Sequence, residues 1–309
     1  MKHERGVALV SVLLIVVLAS ALAYHLISRQ DIAIASTRAV LEYSQAKEYA
    51  LAAEEVARSV LHQNKASSTY DHLDEDWRFT IVPFEIPNGQ VYLRIEDLNT
   101  KVNLNALSGQ NYGEISQFFV KICDEVAVDS RLVPIWKDWI DADQVTTPGG
   151  MEDYEWLGFE PPMRTLDSLG AHLSELNMLV SLSSDQQHQM TEYVVILPTN
   201  EMKLNVNTTP AIVMQIFDPL LRTVDQMERS FESVEEAIST LPSLADISEY
   251  LSVSSSFFEV QVVVHYNDTR VDLTSRVLID NDLSGGRLNV QTYSRDYSRR
   301  HFVEELAGS

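Results

Sequence analysis

The residues best suited to chemistry lie in one acidic segment, 138–162, with the sequence DWIDADQVTTPGGMEDYEWLGFEPP. A Pro-Gly-Gly turn divides the segment and can bring its two sides together. Oxygen-bearing side chains flank this turn: Asp141, Asp143 and Gln144 precede it, and Glu152, Asp153 and Glu155 follow it. Hard cations such as Ca²⁺ accept about six to eight oxygen ligands. From the residues alone, a divalent-cation site and a solvated acidic loop both remain open.

Other chemistry is poorly supported by this segment or by the rest of the chain. The spacing of glycine and glutamate does not match an EF-hand. Paired carboxylates can share acid and base roles, as in glycosidases. However, a glycine-rich acidic turn between helices is a poor environment for raising a pKa. The nucleophile motif G-x-S-x-G and the metal motif H-E-x-x-H are absent from the sequence. We therefore expect no enzymatic activity.

Charge and cysteine content exclude further classes of function. The 309 residues include 23 basic and 45 acidic side chains, a net charge of −22. Nucleic-acid binding requires a basic surface, so we expect none here. Cys123 is the only cysteine, which excludes an intramolecular disulfide and a cysteine-based zinc site. Its apolar surroundings in the sequence predict a buried, unreactive thiol.

The N-terminus carries an apolar run without formal charge between Arg5 and Arg29. About 20 apolar residues can span a bilayer, and the basic residues in front of the run favour a cytoplasmic start. Three interpretations compete. The run is a signal peptide cleaved after the small residues Ala21 to Ala23, a plain membrane anchor, or the first half of a longer helix.

The residues that follow favour the longer helix. Glycine and proline are absent from residues 7–64, and strong helix formers dominate the second half. One helix of about 55 residues would be about 80 Å long. We expect this second half to be amphipathic, with charged residues such as Glu54 away from the apolar face. The expected apolar face comprises Ile34, Leu41, Ala52, Val56 and Val60.

Two regions of the chain have the alternating pattern of β-strands. In residues 67–102 the alternation begins at Trp77, and Asn88-Gly89 is a strong hairpin turn. In residues 255–309 three further candidate strands follow, the first two joined by a turn at Asn267-Asp268. We expect the two regions to form one small antiparallel sheet.

The residues between these regions, 103–254, show helical patterns instead. Within them a phrase with alternate asparagines comes twice, KVNLNAL at 101–107 and KLNVNTT at 203–209. Asparagine is a good helix cap, and the repetition predicts two related helical subdomains, 103–200 and 201–254. The predicted fold class is α+β: a pilin-like long N-terminal helix plus a small antiparallel sheet, with a large all-α inserted domain.

A short charged leader ending in Gly6, then an apolar helix that continues into an amphipathic one, resembles the type IV prepilins. The resemblance implies cleavage by prepilin peptidase between Gly6 and Val7. Most members carry glutamate at the fifth position after the cut, where this chain has Ser11. A carboxylate in hydrocarbon costs about 2.5–3.5 kcal/mol and is tolerated where it pairs with the free amino terminus of a neighbouring subunit. A subunit without this acid suits the topmost position of a filament.

Further motifs, in a fixed order, make the whole chain similar to the K-type minor pseudopilins of bacterial type II secretion (general secretion pathway protein K). The motifs are the apolar start without an acid, DLNTKVNLNAL, WIDADQ…GGMEDYEW…PP and LPTNEMKLNVNTTP. The resemblance implies a leader at residues 1–6, a transmembrane segment at 7–28 and a stalk helix at 29–66.

The resemblance also implies a role and a location. The role is that of a pseudopilus tip subunit that helps to initiate assembly and protein export across the outer membrane. The implied partners are the I- and J-type minor pseudopilins, prepilin peptidase and other secretion components. The implied location is the bacterial inner membrane, with a single pass, a methylated mature N-terminus and the body in the periplasm.

Calcium in the helical insert is a further implication of the resemblance. The ligands that it implies are Asp141, Asp143, Gln144, Glu152 and Asp153. An alternative function is a calcium-binding periplasmic protein released by an ordinary signal peptide, which would begin at Tyr24 after cleavage.

Overall fold

The computed structural model describes residues 4–78, 81–282 and 287–298. Helix α1 spans Glu4–Ser67 without interruption, as expected for a segment without glycine or proline after Gly6. Its part from Leu9 onwards is long and apolar enough to cross a membrane, and no residue of its apolar 18-residue window is buried. The prediction of one continuous helix is confirmed.

The other elements follow in chain order. The strands are β1 Ile81–Ile86, β2 Gly89–Asp97, β3 Val102–Asn103, β4 Val194–Val195, β5 Leu204–Asn205, β6 Leu251–Ser252, β7 Phe257–Tyr266, β8 Thr269–Asp282 and β9 Arg287–Asp296. The helices are α2 Tyr112–Glu125, α3 Leu132–Ile140, α4 Asp153–Trp156, α5 Leu176–Leu179, α6 Ser184–Tyr193, α7 Ala211–Phe217 and α8 Val234–Thr240. Turns of 3₁₀ helix occupy Leu98–Thr100, Leu104–Ser108, Leu173–Glu175, Pro219–Gln226 and Pro242–Tyr250.

Five strands form one antiparallel sheet in the order β1-β2-β7-β8-β9. Strand β2 therefore pairs with β7 across the whole helical region of the sequence, which closes the sheet as predicted. Both predicted hairpin turns are present. Asn88 and Asn267 adopt left-handed backbone angles, with φ of 62° and 48°, a conformation that asparagine tolerates better than most residues.

The first strand begins later than the alternating pattern indicated. Trp77 lies in a turn before β1, where its indole packs edge-on against Phe258 with ring centroids 5.4 Å apart. Its Nε1 donates to Glu75 Oε2 at 2.8 Å. Trp77 is therefore a buried core residue that packs against the sheet from a turn. The predicted strand residues Phe79 and Thr80 lie outside the described residues.

Helix α1 packs on the sheet through a seam of small residues. The seam residues are spaced by three or four positions and are at most 1% exposed: Ala46, Ala50, Ala53, Ala57 and Leu61. Because alanine has a short side chain, the helix backbone can approach the sheet closely. The buried side of the sheet supplies the valines and leucines that fill this interface.

Of the predicted apolar face of α1, only Val60 packs on the core beneath the sheet, and the prediction is wrong for the other four residues. Ile34, Leu41 and Val56 are 65%, 64% and 46% exposed, and Ala52 is exposed as well. Glu54, expected on a polar face, is only 2% exposed. Several faces of α1 carry apolar residues, so periodicity alone did not identify the one that meets the sheet.

Glu54 is buried because it has polar partners on the sheet. Its carboxylate accepts hydrogen bonds from Arg295 Nε and Nη2, from Ser275 Oγ and from Thr292 Oγ1, at 2.6 to 2.7 Å. Burial would raise the pKa of Glu54, but the hydrogen bonds from Arg295, Ser275 and Thr292 outweigh it and lower the pKa. The hydrogen bond from Ser275 thus joins α1 to β8, and the ion pair with Arg295 joins it to β9.

The helical region has a hydrophobic core separate from the core beneath the sheet. The larger core runs from Val102 to Leu251 and includes Trp136 and Phe119, whereas the second consists of α1 and sheet residues. The boundaries 103–200 and 201–254 stay a prediction. The repeated phrases do have similar structures, because β3 pairs with β4 and β5 with β6, each in parallel.

In each repeated phrase, the side chain of the second asparagine forms two hydrogen bonds with the backbone of one residue later in the chain. The Asn105 side chain donates to Gly170 O and accepts from Gly170 N, both at 2.9 Å. Asn207 does the same with Phe231, at 3.0 and 2.9 Å. The repeated phrase therefore reflects a repeated pair of hydrogen bonds to a distant backbone.

The expected cap is present in the first phrase, where Asn103 caps the 3₁₀ turn Leu104–Ser108. It is wrong for the second phrase, because the N-cap residue of α7 is Pro210.

A buried carboxylate, Asp97, joins the sheet to the helical region. Its Oδ2 accepts from Ser255 Oγ and Thr208 Oγ1, both at 2.6 Å, and its Oδ1 accepts from Asn99 N at 2.7 Å. Burial raises the pKa of Asp97 to about 6 against the effect of these hydrogen bonds, and the nearby Asp71 charge adds to the rise.

Candidate metal centre

Three of the predicted ligands come together in the structure. Asp141, Asp143 and Glu152 each offer one carboxylate oxygen, and these oxygens lie within 4.8 Å of one another. Asp141 directly follows α3, and Glu152 directly precedes α4. The turn between these helices therefore folds as the sequence predicted, and we name these three residues the carboxylate cluster.

The loop is held in this shape by a buried acid and two glycines. Thr147 N donates to Asp138 Oδ2 at 3.0 Å, which ties the loop back to α3. Gly149 has a φ of 89°, a conformation that most side chains disfavour. A Cβ on Gly150 would overlap Asp138 Oδ2 and lie 2.8 Å from Pro134 O. Glycine at 150 is therefore a packing requirement.

The buried carboxylate of Glu152 is the strongest indication of a cation site. It is 2% exposed, yet neither of its carboxylate oxygens has a hydrogen-bond partner in the described part of the chain. Burial raises the pKa of Glu152 to about 7, and the nearby charges of Asp138, Asp141, Asp143 and Asp167 add to the rise. Buried carboxylate oxygens without donors are costly, and a bound cation would relieve that cost.

Asp141 is half satisfied. Its Oδ2 accepts a hydrogen bond from Lys137 Nζ, whereas its Oδ1 is buried without a partner among the described residues. Lys137 Nζ also lies 3.9 Å from Asp138 Oδ1 and 5.5 Å from the ring centre of Tyr112. One ammonium group therefore faces several carboxylates.

The other two predicted ligands point elsewhere. Gln144 Nε2 donates to Asp167 Oδ1 at 3.2 Å and lies 3.4 Å from Thr165 Oγ1. Asp153 pairs with Arg164 at 3.2 Å and accepts from Thr165 N at 2.9 Å. These hydrogen bonds from Thr165, together with the Arg164 charge, lower the pKa of Asp153. Both side chains brace the loop from outside the carboxylate cluster.

Two residues next to the carboxylate cluster were not among the predicted ligands. Asp138 is fully buried and lies one helical turn before Asp141, at the i, i+3 spacing that places both on one side of α3. Lys137 precedes Asp141 by four residues, which is also a contact spacing. The segment KDWID thus contained the signal, but spacing alone does not show which charges are buried.

The donor set fits a hard divalent cation. All three members of the carboxylate cluster offer oxygen, three of their oxygen atoms lack donors in the described structure, and the local charge is strongly negative. Ca²⁺ prefers such ligands. The arrangement is suited to binding and to holding the two helix ends together.

The predicted processing residues lie on α1. Gly6 and Val7 belong to its first turns, and cleavage between them stays a prediction. Ser11 lies further along the same helix and is exposed.

The fold and the comparisons together identify the class of protein. A long N-terminal helix packed on a small antiparallel sheet, with many further helices, is an α+β pilin-like fold. The same fold occurs in a chain of the GspK-GspI-GspJ complex from the type 2 secretion system of enterotoxigenic Escherichia coli. The two superpose with a TM-score of 0.76 and 21% identity, covering 85% of this chain and 99% of that one.

Sequence comparison identifies the family. A family profile described as type II secretion system (T2SS), protein K, matches residues 100–199. Type II secretion system protein K of Pseudomonas aeruginosa is 30% identical over 89% of this chain and 88% of its own length. The protein of the same name from Pectobacterium carotovorum is 27% identical over 96% and 97%. The chain belongs to the type II secretion system protein K family.

Proposed function

We propose that this protein is the tip subunit of the type II secretion pseudopilus and helps to start its assembly. The observation that carries the proposal is the projecting half of α1. None of residues 9–45 is buried, and as a straight helix this part would measure about 55 Å. Its first part, residues 9–28, has no formal charge and at about 30 Å matches the hydrocarbon of a bilayer. The charged part that follows extends beyond the membrane, where it can pack against other helices.

Two features support the tip position: the residue at position 11 and the size of the helical region. Ser11 offers no carboxylate to the amino terminus of a subunit above, so the chain lacks one contact that stacking would use. The wide helical region also adds bulk beside the sheet. A fibre purified with a label on the helical region should carry that label at one end. Labels along the fibre would contradict the proposal.

The partners are proposed to be the I- and J-type minor pseudopilins. The related chain was crystallised in a GspK-GspI-GspJ complex, and exposed apolar residues such as Ile34 and Leu41 on α1 offer a surface for partner helices. Replacing both residues with glutamate should abolish co-purification of the partners from detergent-solubilised membranes. Unchanged co-purification would show that this face is not used.

Processing is proposed to occur between Gly6 and Val7 by prepilin peptidase, followed by methylation, in the inner membrane with the body in the periplasm. The alternative, release by an ordinary signal peptidase, rests on the small residues Ala21 to Ala23. The mass of the mature protein distinguishes the two. A methylated start at Val7 supports the pseudopilin, and a start at Tyr24 supports a released protein.

We also propose that the carboxylate cluster binds calcium as a structural ion. Asp141, Asp143 and Glu152 would hold it, and the ion would supply charge neutralisation between the end of α3 and the start of α4. Isothermal titration of chelator-treated protein with CaCl₂ should give saturable heat that is lost in Asp141→Ala. Saturable heat that persists in that variant would exclude this site.

A further inference from the structure

We propose that Lys137 is a built-in counter-ion that occupies the carboxylate cluster in the absence of a divalent cation and thereby lowers the affinity of the site. The inference rests on the proposed cation binding, and its test can fail separately. It assigns to one lysine a role in setting affinity, in addition to the three oxygen ligands.

The geometry of Lys137 differs from that of an ordinary surface ion pair. Its side chain is 19% exposed and that of Asp141 is 12% exposed, so solvent screens the pair only in part. The ammonium bonds to Asp141 Oδ2 and lies 3.9 Å from Asp138 Oδ1. Among the described residues, no other lysine or arginine forms an ion pair with the carboxylate cluster or Asp138.

A cation and this ammonium group would compete for the same charge. Asp141 has one oxygen paired with Lys137 and one oxygen without a partner in the described structure. A divalent ion at the cluster would lie beside the ammonium, and like charges at such short range repel. The lysine must move away or remain at a cost, and either outcome weakens cation binding.

The same ammonium group stabilises the cation-free protein. Without it, Asp138, Asp141, Asp143 and Glu152 would face one another with no neutralising charge at the cluster. The Lys137 ammonium also lies over the ring of Tyr112, with Nζ 5.5 Å from the ring centre. A cation–π contact of this kind is favourable when it is partly shielded from water. Removing the charge should therefore have opposite effects on the two states.

The test is calcium titration calorimetry on the full chain in detergent after treatment with a chelator. Lys137→Met removes the charge but keeps most of the stem, and Lys137→Arg keeps the charge. Lys121→Met is a matched control, because Lys121 lies 5.9 Å from the Phe118 ring and donates to the backbone oxygen of Ile216, away from the cluster.

We expect Lys137→Met to bind calcium about tenfold more tightly than wild type, equivalent to about 1.4 kcal/mol. Lys137→Arg and the control should remain within about threefold of wild type. In chelator, Lys137→Met should unfold at a lower temperature than wild type, and saturating calcium should close that gap. If Lys137→Met does not fold in chelator, Lys137→Gln, with a polar end, takes its place.

Two results would overturn the inference in different ways. Equal or weaker calcium binding by the uncharged variants would show that Lys137 does not compete, while the calcium site itself would stand. No saturable binding by wild type or by any variant would show that the cluster is not a calcium site. Binding by the uncharged variants but not by wild type would support the inference in its strongest form.

Discussion

Asp97 connects the sheet to the helical region, and its effect on the free energy of unfolding can be measured as a function of pH. The change is Asp97→Asn, which removes a carboxylate whose pKa is raised to about 6 by burial. A raised pKa means that the folded protein binds this proton more tightly than the unfolded chain. Asp97 therefore costs stability at neutral pH, and the cost is relieved as the pH falls through about 6 towards 3.8.

The size of the effect follows from the two pKa values. From about pH 8 to about pH 5, wild type should gain about 1.4 kcal/mol in unfolding free energy relative to Asp97→Asn, because each unit of proton-affinity difference is worth about 1.36 kcal/mol. Above about pH 7 the difference should be flat. All other titrating groups are shared by the two proteins, so the difference isolates Asp97.

The assay is urea denaturation of the soluble chain from Arg29 onwards, which retains every buried residue of α1. Asp246→Asn, at an exposed aspartate, is the control for the loss of one carboxylate. If wild type instead loses stability relative to Asp97→Asn as the pH falls, the hydrogen bonds from Ser255 and Thr208 outweigh burial. That result would refute the sign derived from the structure.

Two further substitutions test the packing of α1 and of the loop. Glu54→Ala should lower the unfolding free energy by about 2–3 kcal/mol, because buried donors on the sheet lose a charged acceptor. Glu55→Ala, at an exposed position on the same helix, should change it by less than about 0.5 kcal/mol. Gly150→Ala should abolish saturable calcium heat, since its Cβ would overlap Asp138. Gly113→Ala, where a Cβ meets nothing within 4 Å, should leave that heat unchanged.

For each substitution and its control, one outcome would contradict the structure. Equal effects of the two glutamate substitutions in urea denaturation would show that the Arg295 ion pair does not hold α1 to the sheet. Normal calcium binding by Gly150→Ala would show that the loop does not require the close approach to Asp138 described above.

Much of the fold was predictable because the signals were local. A long stretch that lacks glycine and proline and is rich in strong helix formers favours one continuous helix. Asn88-Gly89 and Asn267-Asp268 form tight turns through their own backbone preferences. The turn at Pro148 likewise brought Asp141, Asp143 and Glu152 together, because the residues it joins are close in sequence.

Other features depended on contacts between distant parts of the chain. The sequence showed apolar residues on several faces of α1 but not the one that would meet the sheet. The tertiary structure selected the alanine seam, because only short side chains allow the helix to lie close to the strands. It also buried Glu54, since Ser275, Thr292 and Arg295 from the end of the chain supply its partners.

The same division applies at the carboxylate cluster. The sequence by itself determined that carboxylates would gather around a tight turn. The contact between Lys137 and Asp141 also follows from their spacing of four residues on one helix. Only the tertiary structure decided that Glu152 is buried and that Asp153 turns away to Arg164. The physical reason is that burial depends on which other parts of the chain exclude water, and local spacing does not record that.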